Sequence, residues 1–285
     1  MSERAPLDEA ALRERLTGAR LVTGVRVVAE TASTNADLLA AAGRGEPSGS
    51  VLVAEYQNAG RGRFDRTWTV PPGAGLLFSV LIRSDVDPAR WGWLPLLTGL
   101  AVRAAVAGHV EPDRPPAAES AADPPQPAGS VRLKWPNDLL LGPTRRKGAG
   151  ILVQASGPVA VIGVGLNVDQ TADELPVETA TSLRLEYGVA APRRAELLVS
   201  ILDELEIRYL AWTGADGDAD ISGLADEYRR FCDTIGTSVR VDRAGGPVAG
   251  TARGIDRDGA IVVDTGGGTV VLSAGDVVHL RPSAG

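Results

Sequence analysis

Apolar residues fall into short unbroken runs and one long helical repeat, with turn-forming residues between them. Residues 1–20 suffice for one short helix, and 21–29 form a strand-like run. Residues 31–35 then open a helix that continues through Leu38, Leu39 and Ala42. Thr34 and Asp37 stand at capping-box spacing, so helix initiation accounts for them without a functional role. Residues 51–56 and 76–82 read as buried strands joined by a Gly/Arg loop, and 88–107 as a helix weakened at Gly99. Strand-like segments return at 130–134, 149–154 and 159–166. Beyond Pro192, which suits a helix start, Leu197, Leu198, Ile201, Leu202, Leu205 and Tyr209 repeat at helical spacing. Strands and helices in this mixed order predict an α+β domain built on a mixed, partly antiparallel β-sheet.

The pattern changes near the C-terminus. Five short β-rich runs (238–241, 248–252, 260–263, 270–272, 277–280) alternate with turn signals such as Gly245-Gly246, Asp258-Gly259 and Gly266-Gly267-Gly268. That spacing predicts a small SH3-like β-barrel. Residues 237–285 hold five Arg and five Asp and no Phe, Tyr or Trp, so the barrel lacks both positive field and stacking platforms for nucleic acid. A lid or partner-docking module fits it better. The expected division is a domain at 1–234 and a second at 235–285. Within the first, the Pro/Ala-rich stretch 111–130 has no apolar periodicity and reads as a disordered insertion.

Composition narrows the function. With 44% hydrophobic and 23% charged residues, a 285-residue chain builds its core without disulfide or metal staples. The single cysteine, Cys232, excludes an internal disulfide and Cys-based zinc or iron–sulfur sites. Two histidines, His109 and His279, exclude a His-rich metal site and disfavour a Ser-His-Asp hydrolase. The net charge of −7 argues against binding nucleic acid through a basic surface. No apolar run approaches the roughly 20 residues of a membrane span, and the first residues lack a signal-peptide core. The expectation is a cytoplasmic protein.

Three segments carry candidate chemistry. In Gln57-Asn-Ala-Gly60-Arg61-Gly62-Arg63-Phe64-Asp65-Arg66-Thr67-Trp68, glycines allow close backbone approach and guanidinium forks suit phosphate or carboxylate; a mobile surface loop is the weaker alternative. It matches neither the Walker A spacing nor GxGxxG, because Asp65 stands where the third Gly belongs. Arg132-Leu-Lys134-Trp135-Pro136-Asn137-Asp138 places a lysine beside a turn. With Arg145, Arg146 and Lys147, residues 132–147 hold five positive charges against Asp138, a net +4 suited to a small anion. Finally, 161–168 looks like a core strand whose Gly163 and Gly165 let a backbone or ligand come close.

Together these segments resemble the biotin protein ligase family. The matching pieces come in family order: Ser33-Thr34-Asn35, the Gln57…Arg63 loop, Lys134-Trp-Pro-Asn-Asp138, Lys147-Gly-Ala-Gly-Ile-Leu152 and Gly163-Val-Gly-Leu-Asn167. The resemblance implies a class II aminoacyl-tRNA synthetase-like catalytic domain with the SH3-like domain behind it. It also implies ATP-dependent activation of biotin to biotinyl-5′-AMP, then transfer to a lysine of a biotin carboxyl carrier domain. By the same resemblance, Ser33, Thr34, Asn35 and Gln57 surround biotin, together with Arg61, Gly62, Arg63 and Lys134. Arg61, Arg63, Arg66, Trp68, Asn137, Lys147 and Asn167 hold ATP or the adenylate. Lys134, Arg61 and Arg63 are the expected catalytic cations, and Asp138 a group that orients the incoming lysine or a cation. Mg²⁺ is expected to be held mainly by ATP, with no dedicated metal ligands. The short N-terminal stretch suggests the type without a DNA-binding domain; neither nucleic acid nor membrane is an expected partner. A lipoate-type ligase on the same fold and a non-catalytic biotin-responsive regulator stay open as alternatives. The sequence departs from the family loop at Asp65, preceded by Phe64, where the family usually has a glycine between basic residues.

Overall fold

The computed structural model describes residues 4–110, 131–188, 194–243 and 245–280. The expected insertion at 111–130 and the helix start at Pro192 lie outside the described residues. Gly24–Thr31 (β1), Ser50–Gln57 (β2), Gly75–Arg83 (β3), Arg132–Lys134 (β4), Asp138–Leu141 (β5), Arg146–Ser156 (β6) and Val159–Asn167 (β7) make one sheet, ordered β1-β2-β3-β7-β6-β5-β4. Glu9–Arg15 forms α1, capped by Asp8, which accepts from the amides of Ala10 and Ala11. β1 and β2 are parallel, which demands a crossover, and Thr34–Ala42 (α2) supplies it; every other pairing is antiparallel.

Side-chain alternation gives the sheet two unlike faces. On β3, Leu76, Phe78, Val80 and Ile82 enter the main core, as do Ile162, Val164 and Leu166 of β7. Trp93–Val110 (α3) and Arg194–Gly214 (α5) cover that face, and Leu224–Phe231 (α6) packs beside α3. α3 is apolar enough to cross a membrane by length and composition, yet it is 67% buried at the centre of the core. The opposite face carries α2 over Leu52, Leu81 and Val161, and then turns polar and bare. There Ser79 pairs with Gly163 and Leu77 with Gly165, and β6 adds Gly150 and Leu152.

The five C-terminal strands appear where the turn signals put them: Ser238–Asp242 (β8), Val248–Ile255 (β9), Ile261–Asp264 (β10), Thr269–Leu272 (β11) and Asp276–His279 (β12). They form an antiparallel sheet in the order β11-β10-β9-β8-β12. This sheet docks tightly on the first. The indoles of Trp135 and Trp93 donate to the carbonyls of Gly259 (3.0 Å) and Asp256 (3.2 Å). A Cβ on Gly92 would lie 2.1 Å from the Asp258 carbonyl oxygen, so glycine is required where the backbones meet. Val239, Val241, Ile261 and Val277 belong to the same buried cluster as Trp135 and Leu133, and the hydrophobic core is continuous across both sheets.

Four local expectations change. The expected turn at 135–138 is a hairpin corner with a cis Trp135–Pro136 bond, and it leads into β5, a strand the apolar pattern did not mark. The helix expected over 88–107 divides into a 3₁₀ turn, Pro88–Arg90, and α3. Gly99 is a packing position, since a Cβ there would sit 3.3 Å from Leu133 Cδ2. Leu183–Tyr187 (α4) and α6 are further helices that the apolar pattern did not reveal.

Candidate active site

The bare face of the sheet forms the floor of a cleft of about 390 Å³, within the range of small-ligand sites. At one end stands a hydrogen-bonded polar group. Ser33 caps α2 through the Ala36 amide (3.5 Å), which displaces Thr34 from the capping role its spacing suggested. The Thr34 hydroxyl and amide instead both donate to Gln57 Oε1 (3.1 and 2.8 Å). Asn35 Nδ2 donates to the Leu152 carbonyl (3.1 Å) and Gln154 Oε1 (2.9 Å). Beneath them Ser79, fully buried, lies 2.7 Å from Thr34 Oγ1 and 2.6 Å from Asn35 Oδ1. These bonds fix which way each amide faces. The glycines are steric necessities: a Cβ on Gly163 would lie 2.2 Å from Asn35 Oδ1, and one on Gly165 2.4 Å from Trp68 Nε1.

The other end is cationic. Arg61, Arg63, Arg66 and Lys147 line it. Lys147 Nζ pairs with Asp138 at 2.5 Å and sits 5.5 Å above the Trp68 ring. Trp68 Nε1 is buried without a hydrogen-bond partner among the described residues. Arg63 is pulled below the usual guanidinium range by burial, while Asp138 and Asp276 favour its charge. Those carboxylates are engaged elsewhere, Asp138 by Lys147 and Asp276 by Arg66, so Arg63 is a half-buried, partly desolvated cation open to an incoming anion. Burial pushes the Asp276 carboxyl up, but the bond from Arg66 and the charges of Lys134 and Lys147 outweigh it and hold it below its ordinary range.

The Gly/Arg loop roofs this end as a small hairpin. Gly62 donates to the Arg66 carbonyl (2.6 Å) and Trp68 to that of Gly60 (2.9 Å). At its tip Phe64 and Asp65 both have φ of 55°, a left-handed conformation that favours glycine. Arg66 binds Asp276 of β12, so the second sheet contributes a wall residue. A further wall comes from the loop after β7, with Pro176, Val177, Thr179 and Ala180 in the lining.

The expected residues do not all converge. Ser33, Thr34, Asn35, Gln57, Arg61, Gly62, Arg63, Arg66, Trp68, Asn137, Asp138, Lys147 and Asn167 line the cleft. Lys134 does not. Its register partner is Asp138, so it shares the floor's face but stands one strand farther out, toward Asp276 and His279. Asn137 and Asn167 are committed internally, Asn137 to the Ile151 carbonyl (2.9 Å) and Asn167 to Thr181 (2.9 Å) and Gln170 (2.7 Å). Ser79, Gln154, Asp276 and the 176–180 wall were not foreseen. A lone hydroxyl inside the apolar run 76–82 was the available signal for Ser79; nothing local marks the others.

Comparison with known proteins agrees with this geometry. A model of the biotin/lipoate A/B protein ligase family matches residues 28–169, and one of the biotin protein ligase C terminal domain matches 234–280. The biotin–[acetyl-CoA-carboxylase] ligase of Mycobacterium tuberculosis is 47% identical over 98% of this chain and 97% of its own. The bifunctional ligase/repressor BirA of Bacillus spizizenii is 32% identical over 88% of this chain and 71% of its own. The solved biotin protein ligase from Aquifex aeolicus in complex with biotin and ATP superposes with a TM-score of 0.71 at 24% identity, covering 91% of this chain and all of that one, and so supports the fold. These matches place the chain among the biotin and lipoate protein ligases. Within that class, the chain belongs to the biotin protein ligase family.

Proposed function

We propose that the protein is an ATP-dependent biotin protein ligase. The observation that carries the reading is the joining, in one cleft, of a fixed donor–acceptor set with a cluster of four cations beside an unpartnered indole N–H. A neutral ureido ring needs both donors and acceptors, which Ser33, Thr34, Asn35 and Gln57 offer. A carboxylate and a triphosphate need cations, which Lys147, Arg61, Arg63 and Arg66 offer.

In the first step a biotin carboxylate oxygen attacks the α-phosphorus of ATP. A new P–O bond forms, the bond to the β-phosphate bridging oxygen breaks, and pyrophosphate leaves. Two anions must meet, so preorganised cations stabilise the charge that develops. Lys147, oriented by Asp138, is the central cation by position, and Arg63 gains most from an anion because it is already partly desolvated. Lys134, expected in that role, acts from the rim, beside Asp138 and Asp276. Trp68 stacks on the adenylate. In the second step a neutral lysine amine of a biotin carboxyl carrier domain attacks the acyl carbon, the mixed anhydride C–O bond breaks and AMP departs. The amine's proton passes to solvent or to a nearby carboxylate.

Among the described residues no cluster of three or more His, Cys, Asp or Glu side chains could hold a metal, and the two cleft carboxylates are each paired with a cation. We take Mg²⁺ to enter on the nucleotide's own oxygens. We read residues 1–234 as the catalytic domain, of the class II synthetase-like kind, and 235–285 as an SH3-like domain; we also place the protein in the cytoplasm. Biotin-dependent ATP–pyrophosphate exchange tests the reading. Exchange with biotin and not lipoate is the expected result, and exchange with lipoate alone overturns it.

A further inference from the structure

We propose that Arg4, which lies outside the cleft, is a positioning residue that clamps the loop after β7 and so sets the affinity of the cleft for nucleotide and adenylate. The proposal rests on the ligase reading for its substrates. Arg4 is not among the cleft-lining residues. Its guanidinium nevertheless makes four bonds to that loop: Nε to Asp169 Oδ2 (3.1 Å), Nη2 to the Asp169 carbonyl (3.0 Å), and Nη1 and Nη2 to the two oxygens of Glu174 (3.1 and 2.6 Å). The last two form a bidentate fork, the geometry in which Arg cannot be replaced by Lys without loss.

Glu174 closes the 3₁₀ turn Ala172–Glu174, where its side chain also accepts from the Thr171 amide (3.0 Å). Two residues on, Pro176 begins the cleft wall. The far end of that wall is tied to the site itself, since Lys147 donates its amide to the Thr179 carbonyl (2.9 Å) and accepts from Thr181 (2.8 Å). Between these anchors only 175–178 span the gap, and Val177 is 56% exposed at the mouth. The wall's position is therefore set at one end by Lys147 and at the other by Arg4.

Arg4 can serve as an anchor because its own segment is fixed. Arg194 donates to the Ala5 carbonyl (2.7 Å), Leu7 donates to Glu55 (2.6 Å), and Arg194 and Glu55 form a largely buried ion pair (2.6 Å). The bond from Arg4 holds the Glu174 carboxyl down to about 2, so the clamp stays charged across the working range of pH. Asp169 is also met by Arg184 (3.2 Å), which leaves the Glu174 fork as the part that depends on Arg4.

The test compares the full chain with Arg4→Ala and Arg4→Lys. Hydrogen exchange of the amides at 175–181 is read in the free proteins, and KM for ATP, kcat and the release rate of preformed adenylate are read with biotin. Arg4→Ala is expected to raise KM for ATP and adenylate release about fivefold or more, to leave kcat within about twofold, and to be partly rescued by Lys. Its exchange should quicken at 175–181 while the core amides of β3 and β7 keep their protection. Unchanged exchange and KM overturn the clamp. So does a loss of protection throughout the core with kcat falling at unchanged KM, which marks a merely structural residue. If the unaltered chain shows no biotin-dependent exchange, the ligase reading fails, and hydrogen exchange still decides the clamp.

Discussion

Lys147 and Lys134 sit on the same face of adjacent strand pairs, yet only Lys147 reaches the cleft. Removing a cation aimed at developing charge costs about 3–4 kcal/mol, on the order of a hundredfold or more in rate. Lys147→Ala is therefore expected to lose biotin-dependent pyrophosphate exchange by that factor, and Lys134→Ala clearly less; equal losses would return Lys134 to the reaction centre. Ser79 makes a different prediction. Its one proton faces two acceptors, and its loss leaves Thr34 and Asn35 short of a buried partner. Ser79→Ala should raise KM for biotin by roughly five- to tenfold, the equivalent of about 1–1.5 kcal/mol for one hydrogen bond, with kcat nearly unchanged. A fall in kcat at constant KM would contradict a ground-state binding role. At this scale the sequence was legible where residues are contiguous, as in the Gly/Arg loop from Gln57 to Trp68. It was illegible where the fold brings together positions as distant as Thr34, Ser79 and Gln154.

Among the elements, the Gly/Arg loop combines opposing tendencies. Two successive non-glycine residues at φ 55° cost of order 1–3 kcal/mol each, and Phe64 is left exposed, while the Arg66–Asp276 pair ties the loop down. The loop should thus open readily until an anion offsets the repulsion among its arginines. Trypsin is expected to cut after residues 61–66 quickly in the free protein and much more slowly with biotin and ATP, with Asp276→Asn hastening only the free-state cleavage. Equal rates in both states would remove the gating role. The same comparison shows what pattern reading reaches. Turn signals located all five C-terminal strands, and the repeat from Leu197 to Tyr209 located α5, because both are long enough or punctuated enough to stand out. β5 follows directly on the Pro-Asn-Asp turn, and its four residues are too few to stand out as a strand of their own. α6 spans eight residues, too few for its Leu224, Tyr228 and Phe231 stripe to register as a repeat.

Across the whole molecule, the two sheets share one core and meet at a polar joint. There the Trp135 amide donates to Thr234 Oγ1 (3.0 Å), which lies 3.0 Å from His279 Nε2. Burial lowers the His279 pKa, Lys134 adds to the effect and Asp233 opposes it. The sign follows: above the unfolded value of about 6.5 both states are neutral and the group contributes nothing to the pH dependence. As pH falls below that value, the unfolded chain takes up a proton that the folded protein binds less well, and stability drops until the folded value is passed. Urea midpoints at pH 7.5 and 5.5 should therefore fall farther for the unaltered chain than for His279→Gln; an equal fall would show that the joint does not sense protons. Finally, the cleft is bordered from both directions along the chain, by the loop that Arg4 clamps and by Asp276. A ribosome that has made the chain through β7 has made every floor residue, but the latch for the Gly/Arg loop emerges more than a hundred residues later. A chain made only through β7 thus carries a floor without a latch, and competence to retain a reactive adenylate waits on Asp276.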